Sequence, residues 1–247
     1  MGSPAIELNG LRHRYDTVEV LRGIDLKISH GEIFGFLGHN GAGKTTAVNI
    51  LTTLITPTGG EASVCGFDVV RQRRELTQCI GYLPSEVRMY GHLTALENLE
   101  FFGRLSGLSK PKQAARDTLR FLDASDLSDH RVGTFSSGMR QRVGIAQAII
   151  HAPQVLFLDE PTSGLDPIGV RQLRETIIEL NRERGMTVFM NTHLLGEVAK
   201  VCTTIGVLNH GELIYKDSIE ATTARFPDEA SLEDIYVRME TLKVPAR

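Results

Sequence analysis

Two periodicities alternate along the chain. Residues 5–28 switch between apolar and polar positions with the two-residue repeat of half-buried strands, broken by a turn near Asp16. Residues 33–37 form a short apolar run ending at Gly38. Residues 44–54 then carry Ala47, Val48, Leu51 and Leu54 at helical spacing, and Thr56-Pro57-Thr58-Gly59-Gly60 closes that segment as a turn. Residues 93–122 read as mostly helical, with breaks near Gly107 and Pro111. Residues 155–158 and 187–190 are apolar without alternation, as in strands covered on both faces. From Asp217 onward the chain is polar and reads as a small helical appendage. Apolar runs interleaved with helical segments predict an α/β fold with a mainly parallel sheet.

Composition narrows the class. A chain of 247 residues can bury about 70–75% of its unfolded surface, so it can build a full core without cross-links. Lys and Arg total 27 against 30 Asp and Glu, and the resulting net charge of −3 argues against a surface built for nucleic acid. Cys65, Cys79 and Cys202 are odd in number, far apart in sequence and without CxxC spacing, and read as buried or incidental thiols of a reducing compartment. No signal-peptide pattern is read at the start, and no apolar run approaches the ~20 residues that span a bilayer. Work at a membrane would require another chain to do the spanning.

Residues 38–45, Gly-His-Asn-Gly-Ala-Gly-Lys-Thr, match the phosphate-loop pattern G-x-x-x-x-G-K-[ST] at every fixed position, between a buried strand and a helix. Glycines let the main chain wrap closely around a phosphate, and the N–H groups at the following helix start point at the anion. The expected nucleotide-binding residues are Gly38, His39, Asn40, Gly41, Ala42, Gly43, Lys44, Thr45 and Thr46. Lys44 places a positive charge on the β- and γ-phosphates, and the Thr45 hydroxyl ligates Mg²⁺. Asp159 and Glu160 follow the apolar run 155–158, at the strand end where ligands of open α/β sheets bind. Asp159 suits Mg²⁺, and Glu160 is then placed to polarise an attacking water.

A further element narrows the choice among nucleotide hydrolases. Phe135-Ser136-Ser137-Gly138-Met139 resembles the LSGGQ signature of the ABC (ATP-binding cassette) family, with Ser136 and Gly138 matching, Ser137 in place of the first glycine and Met139 in place of the Gln. Val143, Ala146, Ile149 and Ile150 follow as an apolar stripe, so the serines stand at a helix start. Ser163-Gly164-Leu165-Asp166 looks like the family's D-loop, His193 matches its switch histidine, and Tyr15 matches the aromatic that stacks on adenine. The resemblance runs from about Ile6 to Gly211.

The resemblance implies a phosphate-loop hydrolase core, an antiparallel β subdomain on the N-terminal side and a helical subdomain at about 86–150 carrying the signature. The ATPase domain would span 1–216, followed by the appendage 217–247. It implies ATP and Mg²⁺ as ligands, Lys44, Glu160 and His193 in catalysis, and Ser136, Gly138, Asp166 and Tyr15 on the nucleotide. Where the family usually carries Gln after Tyr-x-Pro, this chain has Ser85 followed by Glu86. Ser85 is the corresponding Mg²⁺ residue but is shorter, so Glu86 or a water is expected to fill the gap. Implied partners are a membrane-spanning subunit and a second cassette, identical or distinct, with the chain held peripherally on the cytoplasmic face of the membrane. Ser231-Leu232-Glu233-Asp234-Ile235-Tyr236 and residues 89–99 resemble the drug- and polysaccharide-exporter branch. An importer cassette and a non-transport mechanical ATPase are the alternatives.

Overall fold

The computed structural model describes residues 3–192 and 194–242. Strands β1 (Ile6–Tyr15) and β2 (Val18–Ile28) form a hairpin that turns at Asp16, where φ is 50°. Strand β3 (Ile33–Leu37) leads into helix α1 (Lys44–Leu51), followed by β4 (Gly59–Val64), β5 (Phe67–Asp68), α2 (Arg73–Cys79) and β6 (Ile80–Leu83). Helices α3 (Ala95–Leu105), α4 (Pro111–Phe121) and α5 (Ser137–Ile149) come next. Then strands and helices alternate through β7 (Val155–Asp159), α6 (Pro167–Arg184), β8 (Thr187–Asn191), α7 (Leu195–Val201) and β9 (Thr204–Asn209). Strand β10 (Glu212–Ser218), α8 (Ile219–Arg225) and α9 (Leu232–Leu242) complete the order.

The strands form two sheets. One is antiparallel, in the order β2-β1-β4-β5; the other runs β10-β9-β3-β8-β7-β6 and is parallel except for the β9–β10 hairpin. Strands β3, β7 and β8 are buried throughout because both faces of the parallel sheet are covered, which is why their sequences do not alternate. The faces still differ. Phe34, Phe36, Phe157 and Phe189 point toward the antiparallel sheet and α1, and Phe189 lies 5.3–5.5 Å, centroid to centroid, from the other three. Leu37, Leu156, Leu158, Val188 and Met190 point the other way, into the core made with α3 to α6. Each such buried side chain contributes about 1.5–3 kcal/mol relative to an exposed one.

Local chemistry sets the boundaries. Thr94 and Glu97 form a reciprocal capping box that starts α3, and Gly107 (φ 78°) and Pro111 separate α3 from α4 as the sequence indicates. Helix α1 ends at Leu51, short of the expected Leu54. The Thr52 hydroxyl donates back to the Val48 carbonyl at 2.8 Å, Thr53 turns left-handed (φ 64°), and Leu54 is left exposed. Gly59 and Gly60, read as a turn, instead begin β4. Gly60 lies against β1 so closely that a Cβ there would sit 2.1 Å from the Gly10 carbonyl oxygen. Strand β10 runs to Ser218, past the expected boundary at 217, and the Ser218 hydroxyl then caps α8. The signature helix α5 lies directly on β6: a Cβ at Gly81 would meet the Ala148 carbonyl oxygen at 2.2 Å, Gly144 abuts Leu83, and His151 Nε2 is 2.8 Å from the Ile80 carbonyl oxygen.

Candidate functional site

The loop after β3 is shaped by what its glycines leave out. A Cβ at Gly38 would sit 2.4 Å from the Leu208 carbonyl oxygen on β9. Gly41 (φ 84°) and Gly43 (φ 109°) hold left-handed backbone, and Gly43 is pressed under β2, where a Cβ would meet Leu21 Cδ2 at 2.7 Å and the Val20 carbonyl oxygen at 3.0 Å. Gly211, in the β9–β10 turn, fixes the loop from behind. Its N–H donates to the Ala42 carbonyl at 3.0 Å, and its carbonyl accepts the Arg22 N–H at 2.9 Å. The His39 and His210 rings meet at 4.9 Å between centroids. The Lys44 ammonium is buried and donates to the carbonyls of Gly38 at 2.6 Å and His39 at 3.2 Å, so it folds back over the loop. Helix α1 starts from Gly43 with no side-chain cap, and its opening N–H groups face the loop's concavity.

Asp159 ends β7 opposite Asn191 of β8, and its Oδ1 accepts the Asn191 side-chain N–H at 2.5 Å. It is only 5% exposed. Burial raises its pKa above the usual carboxylate value; the Asn191 bond opposes the shift, Glu160 adds to it, and the Lys44 charge opposes it. The same burial, with the Asp159 charge beside it, pushes the Tyr82 hydroxyl up to about 12. Glu160 is held in the left-handed region at φ 48°, with its N–H donating to the Asn191 carbonyl at 2.8 Å and its carbonyl accepting Ser163 N–H at 3.1 Å. Such backbone costs about 1–2 kcal/mol for a residue with a Cβ and persists only where neighbours impose it. Lys44 and Asp159 thus sit within electrostatic reach of each other at the carboxyl end of the parallel sheet, with Glu160 adjoining.

The buried carboxylate has a consequence for stability. A group whose folded pKa lies above its unfolded value contributes stability below the unfolded pKa, and that contribution is lost as pH rises through the folded one. Asp159→Asn should therefore raise the thermal midpoint of the nucleotide-free protein at pH 7, and the gain should vanish as pH falls below the ordinary carboxylate range. Differential scanning fluorimetry across that range measures it; a lowered midpoint at pH 7 contradicts the burial argument.

The remaining sequence-derived residues are spread around this centre. Ser136 caps α5, its hydroxyl accepting Met139 N–H at 3.3 Å, and a Cβ at Gly138 would meet open space. The C-terminal half of α5 lies on β6, three strands from β3 in the sheet, and Ser136 stands at the helix's opposite end. The Asp166 carboxylate caps α6 by accepting Gly169 N–H at 2.7 Å. Tyr15 is exposed at the hairpin tip, edge-on to His13 at 4.5 Å, and β2 runs from that tip to Val20 against Gly43. Ser85 lines a cleft of about 560 Å³ with Gln141 and Ser163. Glu86, expected with a water as the alternative to fill the gap beside Ser85, is exposed and pairs with Arg88 at 2.9 Å. The histidine at His193 lies outside the described residues.

Sequence reasoning missed Asn191 and Gln141. Asn191 ends a strand whose register with β7 is not readable locally; its only signal was a polar residue closing an apolar run. Gln141 donates to the Pro161 carbonyl at 2.6 Å, tying α5 to the segment after Glu160.

Comparison with known proteins gives the family. A family model described as ABC transporter matches residues 21–163. The ABC transporter ATP-binding protein NatA of Bacillus subtilis is 40% identical over 228 residues, covering 91% of each chain. The bacitracin transport ATP-binding protein BcrA of Bacillus licheniformis is 37% identical over 86% of this chain and 69% of its own. The daunorubicin resistance ATP-binding protein DrrA2 of Streptomyces coeruleorubidus is 41% identical over 88% and 68%. Among solved structures, an ATP-binding subunit of an ABC transporter superposes with a TM-score of 0.85 at 27% identity, covering 96% of this chain and 99% of its own. The cassette MJ0796, solved as a dimer in a post-hydrolysis state with ADP and Pi, superposes with a TM-score of 0.78 at 27% identity over 87% and 98%.

Proposed function

The chain belongs to the ABC transporter family as an ATP-binding, ATP-hydrolysing subunit, and from that premise we propose that it powers export through a separate membrane-spanning partner. The observation that carries the reading is the division of the site. Lys44, Asp159 and Glu160 converge at one end of the parallel sheet, while the signature helix packs on β6, three strands from β3. Two copies placed head to tail would supply each half to the other, and the dimer of the similar cassette MJ0796 supports that arrangement. Among the described residues no helix is long and apolar enough to cross a membrane, so the proposed peripheral location on the cytoplasmic face depends on the partner.

The roles follow from placement. The phosphate loop, residues 38–46, holds the triphosphate, with Lys44 exchanging its carbonyl partners for phosphate oxygens. Tyr15 offers its exposed ring to the adenine. The donor set fits Mg²⁺: Asp159 is a buried carboxylate that lacks enough compensating charge in the chain alone, and the Thr45 hydroxyl is a hard oxygen beside Lys44. Asp159 and Thr45 would hold the ion, with Ser85 as a further oxygen, and it would supply charge neutralisation on the β- and γ-phosphates. Glu160 polarises the water whose oxygen attacks the γ-phosphorus as the bond to the β-phosphate oxygen breaks. Asp166 acts through its cap, setting the D-loop's path beside the nucleotide. Ser136 and Gly138 of the second copy bind the γ-phosphate from the far side, and His193 completes that contact.

ATP therefore favours the closed pair, and hydrolysis removes the bridge; this is a population shift by a ligand that binds one state better. Ser136→Arg should leave ATP binding to one subunit intact and abolish the ATP-dependent dimer in gel filtration. A dimer that survives the substitution argues against action between copies. The export direction draws on the names of BcrA and DrrA2, which concern bacitracin transport and daunorubicin resistance. Isolating the complex from its native membrane, identifying the co-purifying chain and following ATP-dependent cargo movement in vesicles tests it. Uptake in place of release overturns the export assignment.

A further inference from the structure

His13 is a polar side chain in an apolar place. It lies on β1 only 6% exposed, and neither ring nitrogen has a hydrogen-bond partner among the described residues. A buried polar group left unpaired is destabilising, so filling space does not account for an imidazole here. Its neighbours lead to the nucleotide site. The His13 and Tyr15 rings meet edge to face, with 77° between their planes and 4.5 Å between centroids. Alternate residues of a strand stand about 6.5–7 Å apart, so the two side chains lean together. Across the hairpin His13 pairs with Leu21; the register then jumps to Arg14 opposite Glu19, which leaves Val20 as a bulge. Leu21 and Val20 are the residues that press on Gly43 of the phosphate loop. Tyr15, His13, Leu21 and Gly43 are thus successive neighbours from the hairpin tip to that loop.

We propose that His13 is a positioning residue for the nucleotide: its ring holds Tyr15 in the orientation that receives the base, a role that rests on the part given to Tyr15 above. Tyr15 ends β1 at an exposed tip. A ring free to turn there would lose rotamer freedom when a base stacks on it. Contact with a buried, strand-anchored ring removes that freedom beforehand, so more of the stacking appears as affinity. The His13 nitrogens are enclosed, so the residue does not meet the ligand itself and acts only through Tyr15. Its effect is therefore confined to the base end of the nucleotide and leaves the grip on the phosphates alone.

Calorimetric titration of the full chain with ATP and with inorganic tripolyphosphate, each with Mg²⁺, separates the two ends of the ligand. His13→Leu keeps a buried apolar side chain and removes the aromatic ring. It should weaken ATP by about two- to tenfold, the usual worth of an aromatic pair, and leave tripolyphosphate unchanged, which also reports an intact loop. His13→Phe restores a ring without the unpaired nitrogens. It should bind ATP like the parent and raise the thermal midpoint. In a Tyr15→Ala background, His13→Leu should have no further effect on ATP. Parent-like ATP affinity in His13→Leu, beside a loss in Tyr15→Ala, would overturn the positioning role and leave Tyr15 as the platform. No loss in Tyr15→Ala would remove the platform and the positioning role together. An equal loss for tripolyphosphate would place the effect of His13 on the phosphate loop. Failure of a folded His13→Phe to restore ATP would assign it to the nitrogens, and either result overturns the role.

Discussion

Glu160→Gln is expected to lower ATP turnover by about 10²–10⁴-fold, the usual worth of a positioned general base, while leaving ATP binding unchanged. Gln has the shape of Glu, so the left-handed backbone at this position, anchored by the bond from its N–H to the Asn191 carbonyl, should survive. What the amide loses is the ability to draw a proton from the attacking water. Because binding persists and the bridge between copies is no longer removed, the variant should accumulate as an ATP-bound dimer. Phosphate release, binding of a fluorescent ATP analogue and gel filtration measure the three quantities separately. Turnover within threefold of the parent would place the base on another residue.

Lys44→Ala should fail one step earlier. The ammonium donates to the Gly38 and His39 carbonyls, so the side chain lies folded along the loop and needs little reordering to meet phosphate oxygens. A hydrogen bond to a charged group is worth about 1.5–3 kcal/mol, so losing contacts to two phosphates should weaken ATP by about 10²–10⁴-fold. The substitution also removes the nearby positive charge that opposes the burial of Asp159, so that carboxyl should be held still higher. Calorimetric titration with ATP reads the affinity, and circular dichroism confirms the fold. The two variants are told apart by one comparison: Glu160→Gln binds and dimerises without turnover, whereas Lys44→Ala does neither. Parent-like affinity in Lys44→Ala would undo the phosphate-loop assignment.

The features legible in the sequence are those that a few neighbouring residues determine. Residues 155–158 and 187–190 show no alternation because two cores press on β7 and β8, and that covering follows from apolar character alone. Glycines at 38, 41 and 43 stand where a Cβ would collide or φ is positive, so the loop's shape is written into a short string. Features that depend on distant partners were not readable. Asn191 reaches Asp159 only because β7 and β8 pair in one register. The end of α1 was misjudged because Leu54 continues the helical spacing, whereas Thr52 and Thr53 stop it by a back-bonded hydroxyl and a left-handed turn.

Where α5 lies on β6, backbone touches backbone at Gly81 and Ala148, with Gly144 and His151 extending the seam toward Leu83 and Ile80. At Gly81 the strand meets the helix backbone directly, so a shift of one there displaces the other. Ser136 rides at one end of the helix and Ser85 just past the end of the strand. On the function proposed above, a push delivered near Ser85 would pass through this joint toward the signature tip, and engagement of that tip would act back on the cleft beside Ser85.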